Sequence, residues 1–393
     1  MKKLYKKLMK TSALICLLIL GTGNVWGATT YTFNVNGYKL NTTETTINNL
    51  NVKMKVKTAF TYNPNTSSYG VPIPSTNILS LRPTTAGALY LRFTHEKNNG
   101  DIVTINISGV GSFEISTKAS DQSNAGDVIA FKVNKGQLYD ITCSETYHFN
   151  SITKIEETDI LHLSDQADNS TNTSSISQNS SKKYLILDNR TLNGNSWNTF
   201  CSPLKLFSIS LKSTLKCSEI YELDTYTDNT LTFKKATSIT PNKPCLIKPS
   251  EDVENPLLVS TVQISTDTSQ QRQESGVLSF IGVLGAENIY TENHSKFYLN
   301  NDGYLVYPTS NAGNNGKIKG FRAYFEWTGG SSGVKDMTFV FDDSETTGIK
   351  TIEHDIFDEN GRVYSIDGRY MGDSTDNLSR GIYIQNGRKF VVK

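Results

Sequence analysis

Apolar and polar residues alternate with a period of two along most of the chain, and the 3.6-residue repeat of an amphipathic helix is almost absent. Thr30 to Val35 sets Tyr31, Phe33 and Val35 on one face, and Asn51 to Lys57 sets Val52, Met54 and Val56 against Lys53, Lys55 and Lys57. Successive side chains of a strand point to opposite faces, so each run predicts a strand with one face in a core and one in water. Comparable runs follow at Leu89 to Thr94, Ile102 to Ile107, Phe113 to Thr117, Val128 to Val133 and Ile152 to Glu156, divided by Gly, Asn, Asp and Ser turns. So many short strands with regular turn signals predict an antiparallel sandwich or jelly roll over 28–163. The lysine row beside Met54 reads as a solvated face that also discourages edge pairing.

The pattern breaks over 164–182. SDQADNSTNTSSISQNSSK holds one aliphatic side chain besides alanine, Ile176. A stretch so polar buries too little surface to offset the entropy of ordering it, and a disordered linker is expected. Strand-like alternation resumes over 183–341. Its clearest unit is a hairpin, Phe297 to Leu299 and Tyr304 to Tyr307, around Asn300-Asn301-Asp302-Gly303, where Asp-Gly supplies positive φ angles. Phe321 to Trp327 (FRAYFEW) reads as a core strand. A second polar break, Asp342 to Thr347, opens a tail over 342–393, with hairpin turns expected at Asn360-Gly361, Asp367-Gly368 and Asn386-Gly387. The expected class is all-β: two antiparallel, jelly-roll-like β-sandwich domains and a small all-strand C-terminal module.

Charge narrows the compartment. The net charge is +1, yet five lysines and no acid fall among the first ten residues, and without them the balance is −4. No basic surplus then remains for nucleic acid or an anionic membrane surface, both of which need clustered cations. The lysines precede Ala13 to Leu20 (ALICLLIL), far short of the roughly 20 apolar residues of a spanning helix. Gly21, Gly23 and Val25-Trp26-Gly27-Ala28 follow, the pattern of a cleaved secretory signal peptide over 1–27 with Gly27 and Ala28 at the cut. Ile15 stands where lipidation of Cys16 would require a small residue, and no other stretch is long and apolar enough to span a membrane. Export leaves Cys143, Cys201, Cys217 and Cys245, which allow three pairings; the nearest two are sixteen apart and none forms a CxxC pair, so no zinc site is expected. Cys143 is read as a small buried apolar residue, with one bridge expected among the other three.

Three resemblances follow from longer strings. Thr191-Leu192, Trp197 to Pro203 (WNTFCSP), Leu231-Thr232-Phe233, Asn242 to Lys248 (NKPCLIK), Phe280-Ile281-Gly282, Tyr298 to Pro308, Phe321 to Phe325 (FRAYF) and Thr346 to Ile349 resemble, in order and spacing, a domain of uncharacterised secreted proteins of Bacteroidota. The resemblance implies a sandwich and carries no activity; it does not imply a Cys201–Cys245 bridge, which the position of Cys245, where the family pattern has an aromatic, would allow in this chain. Val363 to Arg369, Leu378, Gly381-Ile382-Tyr383 and Arg388 to Lys393 resemble a shortened C-terminal sorting domain of the type IX secretion pathway. That implies Gly368, Leu378, Gly381 and Tyr383 as sorting residues and the secretion machinery as a partner. Leu89 to Phe93 with the strands Ile102 to Ile107 and Phe113 to Thr117 is similar in pattern to accessory β-sandwiches of secreted glycan-degrading proteins of the same phylum.

The search for reactive chemistry is mostly negative. His95, His148, His162, His294 and His354 are scattered, without HExxH or paired spacing, and no glycine-rich phosphate loop follows a strand; neither metal nor cofactor is expected. Gly372-Asp373-Ser374 reads as a tail turn and Cys201 as an inert buried thiol. Asp165 with Asp168, and Asp342 with Asp343 and Glu345, lack calcium-loop spacing and read as solvated charge. Carboxylate pairs for glycoside hydrolysis cannot be picked from 38 acids. For binding, the loop Tyr62 to Tyr69 joins two tyrosines to Asn63 and Asn65, and Tyr147 and Phe149 with His148 form a second aromatic group. These are the candidate ligand residues, with no catalytic residue assigned. The expected function is non-catalytic binding of a glycan or a host or bacterial surface protein by a secreted or surface-displayed chain. The alternatives are an accessory subunit or hydrolase of a glycan-utilisation system, and a surface-layer or fimbria-like structural component.

Overall fold

The computed structural model describes residues 28–341 and 363–392, apart from 34–38, 48–49, 62–69, 98–100, 118–125, 302, 309, 312–315, 330–336, 373–377 and 386–387. The chain is all-β, with two short α-helices among the described residues. The first sandwich pairs two antiparallel sheets. One runs Ala28–Thr32, Tyr147–Glu156, Gly87–His95, Asp127–Val133, with Val71–Ile73 also on Tyr147–Glu156; the other runs Gly111–Ile115, Val103–Ile107, Tyr139–Cys143, Leu79–Pro83, Val52–Val56, Thr45–Thr46. The runs read from the alternation form strands in their described residues; Val35 of the first run lies outside them. Val52, Met54 and Val56 enter the core while Lys53 stays in water. Their strand is not an edge, since it pairs on both sides, so the lysine row is only a solvated face.

The second region is also a sandwich. Asn198–Phe200, Cys245–Ile247, Ile220–Thr227, Thr230–Ala236 and Thr338–Phe341 make one sheet, and Arg272–Ser275, Leu278–Val283, Arg322–Trp327, Lys296–Leu299 and Leu305–Val306 the other. Phe233, Phe280, Phe297, Phe325 and Phe339 fill the space between them, Phe280 stacking on Phe325 with centroids 4.6 Å apart. The expected hairpin forms, Tyr298 opposite Val306 and Leu299 opposite Leu305, with Gly303 at φ 81° in its turn. The tail is a four-stranded antiparallel sheet, Tyr370–Gly372, Val363–Ser365, Gly381–Gln385, Arg388–Val392. Four large apolar side chains of the tail are exposed, Ile366, Tyr370, Met371 and Ile382.

The expected linker is built structure. Ile160–Ser164 pairs in parallel with Tyr184–Asp188, and a parallel pair needs a crossover, which the helix Asn169–Gln178 supplies. Its sequence, NSTNTSSISQ, favours helix poorly, and tertiary contacts hold it instead. Ile176 is fully buried, Asn172 Nδ2 donates to the carbonyls of Ser164 (2.9 Å) and Leu284 (2.7 Å), and a Cβ on Gly285 would lie 2.4 Å from Asn169. Asp165 is not solvated charge either: it is fully buried, with Oδ2 3.0 Å from Arg322 Nη1.

An apolar seam joins the two sandwiches. Ala28, Ala88, Ala130 and Ile155, on the outer face of the first, pack against Ile160, Tyr184, Ile186, Leu257 and Val259 of the second. The alanines leave room for the facing sheet to approach, which is why Val128–Phe131 is apolar on both faces. Burial in this seam pushes the Tyr184 hydroxyl up to about 12, with Tyr90 and Asp159 adding to it. Folded Tyr184 therefore keeps its proton while the unfolded chain ionises near 10, so its contribution is intact below pH 10 and lost as pH rises toward 12. By pH 11 about 1.4 kcal/mol should be gone. Urea unfolding of Tyr184→Phe should show an alkaline slope shallower by that amount than the parent's; equal slopes would refute the assignment.

Candidate functional site

At the rim of the seam lies a cleft of about 520 Å³ with walls from both sandwiches. Thr104, Ser112 and Glu114 project from the solvent face of two adjacent strands of the first. Facing them are Lys212 and Ser213 of the helix Ser208–Thr214, Lys216 and Ser218 just after it, and Lys248, Ser250 and Glu251 after Cys245–Ile247.

Lys216 is the residue that crosses the gap. It has φ 51°, a left-handed conformation that costs a residue with a Cβ on the order of 1–2 kcal/mol. The turn is held because the Leu215 and Cys217 amides both donate to Leu211 O (2.9 and 3.3 Å), while the Lys216 carbonyl accepts from the Ser250 amide at 2.8 Å and from Ser250 Oγ at 3.2 Å. Its ammonium then sits 2.9 Å from Glu251 Oε1 and 3.8 Å from the centroid of the Phe113 ring on the opposite wall. Lys248 Nζ lies 5.7 Å from the ring of Trp197, which is itself stacked on Phe341 at 4.5 Å. Cys217 lines the cleft, but its thiol is buried, gives a hydrogen bond to Glu219 O at 2.9 Å and has its pKa raised by desolvation, which suits packing and not nucleophilic attack.

The sequence-derived candidates fall elsewhere. Tyr62, Asn63, Asn65 and Tyr69 lie outside the described residues, as does Gly27. Tyr147 and Phe149 are corrected from ligand residues to core: they are 0% and 1% exposed, ring-packed on Phe93, and the Tyr147 hydroxyl donates to Ile141 O. Ala28 is buried at the start of its strand, opposite Ile155. In the tail, Gly368 turns at φ 86°, Leu378 is half-buried, and Gly381 and Tyr383 share a strand in which the Tyr383 hydroxyl donates to Ser379 O at 2.7 Å. The expected disulfide is corrected as well. All four cysteines are free buried thiols, and Cys201, Cys245 and Cys217 direct their sulfurs to separate carbonyls, those of Asn242, Phe200 and Glu219. Among the described residues no group of three His, Cys, Asp or Glu is placed to hold a metal, and no helix is long and apolar enough to cross a membrane.

Lys212, Lys216 and Lys248 escape sequence reading because no local motif links positions up to 36 apart. The helix Ser208–Thr214 is followed at Lys216 by a left-handed residue where glycine is the usual choice.

No family model and no curated protein matches the chain. Among solved structures it is similar to a family 35 carbohydrate binding module from Clostridium thermocellum, at 11% identity and a TM-score of 0.19 over 32% of this chain and 98% of that one. A likeness at that level does not extend to a ligand or a site.

Proposed function

We propose that the chain is an exported protein, surface-displayed or released, that binds a glycan at the cleft between its sandwiches without turning it over. The observation that carries this reading is the cleft itself: a groove of ligand size, walled by both sandwiches, lined with hydroxyls and ammonium groups and held in shape by the strained, ion-paired Lys216. Glu114 and Glu251 both face it, which is the observation in favour of a hydrolase. Against that use, Glu251 is 61% exposed and committed to Lys216, whereas a carboxyl serving as general acid needs an apolar pocket that keeps it protonated. Export is supported by the lysine-rich, short apolar start of the sequence, and a role for the tail in sorting by the resemblance of its strands.

The full exported chain should bind one or more polysaccharides on a glycan array, and incubation should leave their chain length and reducing ends unchanged. Shortening of any polymer, abolished by Glu114→Gln or Glu251→Gln, would replace this reading with the hydrolase; absence of binding across neutral and acidic panels would favour the structural component.

A further inference from the structure

Resting on the glycan reading of the cleft, we infer that its ligand is anionic: a saccharide carrying carboxylate or sulfate groups, held by Lys212 and Lys248. The three cleft lysines face two carboxylates, those of Glu114 and Glu251. The Lys216–Glu251 pair neutralises itself at 2.9 Å, and among the described residues no carboxylate lies within ion-pair distance of Lys212 or Lys248. These two ammonium groups have no ion-pair partner among the described residues, in a groove of a chain that is acidic apart from its lysine-rich start.

The site is also shaped for this role. Trp197 holds Lys248 from beneath and is fixed by its stack on Phe341, so the ammonium is ordered before a ligand arrives and less entropy is lost on binding. Ser112, Ser218, Ser250 and Thr104 supply hydroxyls suited to ring hydroxyls of a sugar. What the groove does not offer is a bare flat ring. Phe113 is 7% exposed and carries the Lys216 ammonium on its face. A neutral pyranose would therefore find hydrogen bonds without a stacking platform, and charge becomes the discriminating contact. Two free ammonium groups in a pocket of this volume fit a few acidic sugar units and are too few for the phosphate track of a nucleic acid.

The test uses the full exported chain at low salt, titrated by calorimetry with polygalacturonate (carboxylate), dextran sulfate (sulfate), unmodified dextran (neutral) and poly-glutamate (acidic, not a sugar). At least one acidic polysaccharide should bind tighter than dextran and poly-glutamate, and weaken at least tenfold between 50 and 300 mM NaCl. Which acidic polymer binds identifies the anion. Lys212→Gln with Lys248→Gln should weaken that binding by about 10–100-fold, the range expected for losing charge-assisted hydrogen bonds, with an unchanged melting temperature because both side chains are exposed. The control Lys53→Gln with Lys57→Gln, on the solvated face, should bind as the parent does. Binding to neutral polymers alone would overturn the anionic inference and leave the glycan reading standing. Undiminished binding by the cleft variant, or equal binding of poly-glutamate, would overturn the inference as well. No binding to any saccharide would remove both.

Discussion

Replacing Asp165 by alanine is expected to lower the unfolding free energy by about 3–5 kcal/mol, the usual cost of breaking a buried ion pair from one side. The carboxylate is fully buried and bonds Arg322 Nη1 at 3.0 Å. Arg190, 4% exposed, lies close enough that the two guanidinium charges repel, and burial presses the pKa of both arginines down. Asp165 is the charge that offsets them; alanine would leave the buried Arg190 and the half-buried Arg322 without a counter-charge. Its backbone is engaged too, the amide donating to Asp188 O at 3.0 Å and the carbonyl accepting from the Gly320 amide at 2.7 Å, so the substitution acts through the side chain alone. Urea unfolding of Asp165→Ala measures the loss. A change under about 1 kcal/mol would mean that 164–182 is the solvated linker its composition describes.

The second large effect is expected at Gly87, the first residue of Gly87–His95. Its φ of 131° is open to glycine and costly for any other residue, and a Cβ there would stand 2.1 Å from Ile155 O and 2.9 Å from Lys154 Nζ. Lys154 is nearly fully buried and its ammonium donates to Ala86 O at 2.7 Å and Ile155 O at 2.8 Å. Gly87→Ala should therefore cost about 3–5 kcal/mol, from backbone strain and from spoiled hydrogen bonds of a buried cation. Gly136→Ala separates the two contributions. Gly136 also has positive φ, 79°, but nothing lies within 4 Å of the added atom, so it should lose only about 1 kcal/mol. Equal melting temperatures for the two variants would refute the crowding argument.

What the sequence revealed and concealed follows from the range of the interactions. A period of two is a local property, so the lysine-backed strand Val52–Val56 and the Asp-Gly hairpin near Gly303 could be read directly. Val128 to Val133 was legible as a strand, but its apolar run Val128–Phe131 also recorded the facing sheet at the seam, met by Ala130, which period alone does not distinguish. The helix Asn169–Gln178 was hidden because its order comes from Ser164, Leu284 and Gly285, the last two more than a hundred positions away. Tyr147 and Phe149 show the converse error: aromatics near the end of the module read as ligand contacts, whereas their strand Tyr147–Glu156 carries them into the core. The cleft cations were invisible for the same reason as the helix. Each lysine is unremarkable alone, and only the fold brings them together.

The parallel pairing of Ile160–Ser164 with Tyr184–Asp188 has a mechanical meaning for a protein held at one end and gripped at the other. Tension along the chain enters this pair at Ile160, the start of one strand, and leaves at Asp188, the end of its neighbour. The two strands are then pulled past each other lengthwise, so the bonds of the ladder share the load and must fail together, where a hairpin would unzip one rung at a time. The join between the sandwiches, where composition alone places a slack tether, is built as a shear clamp.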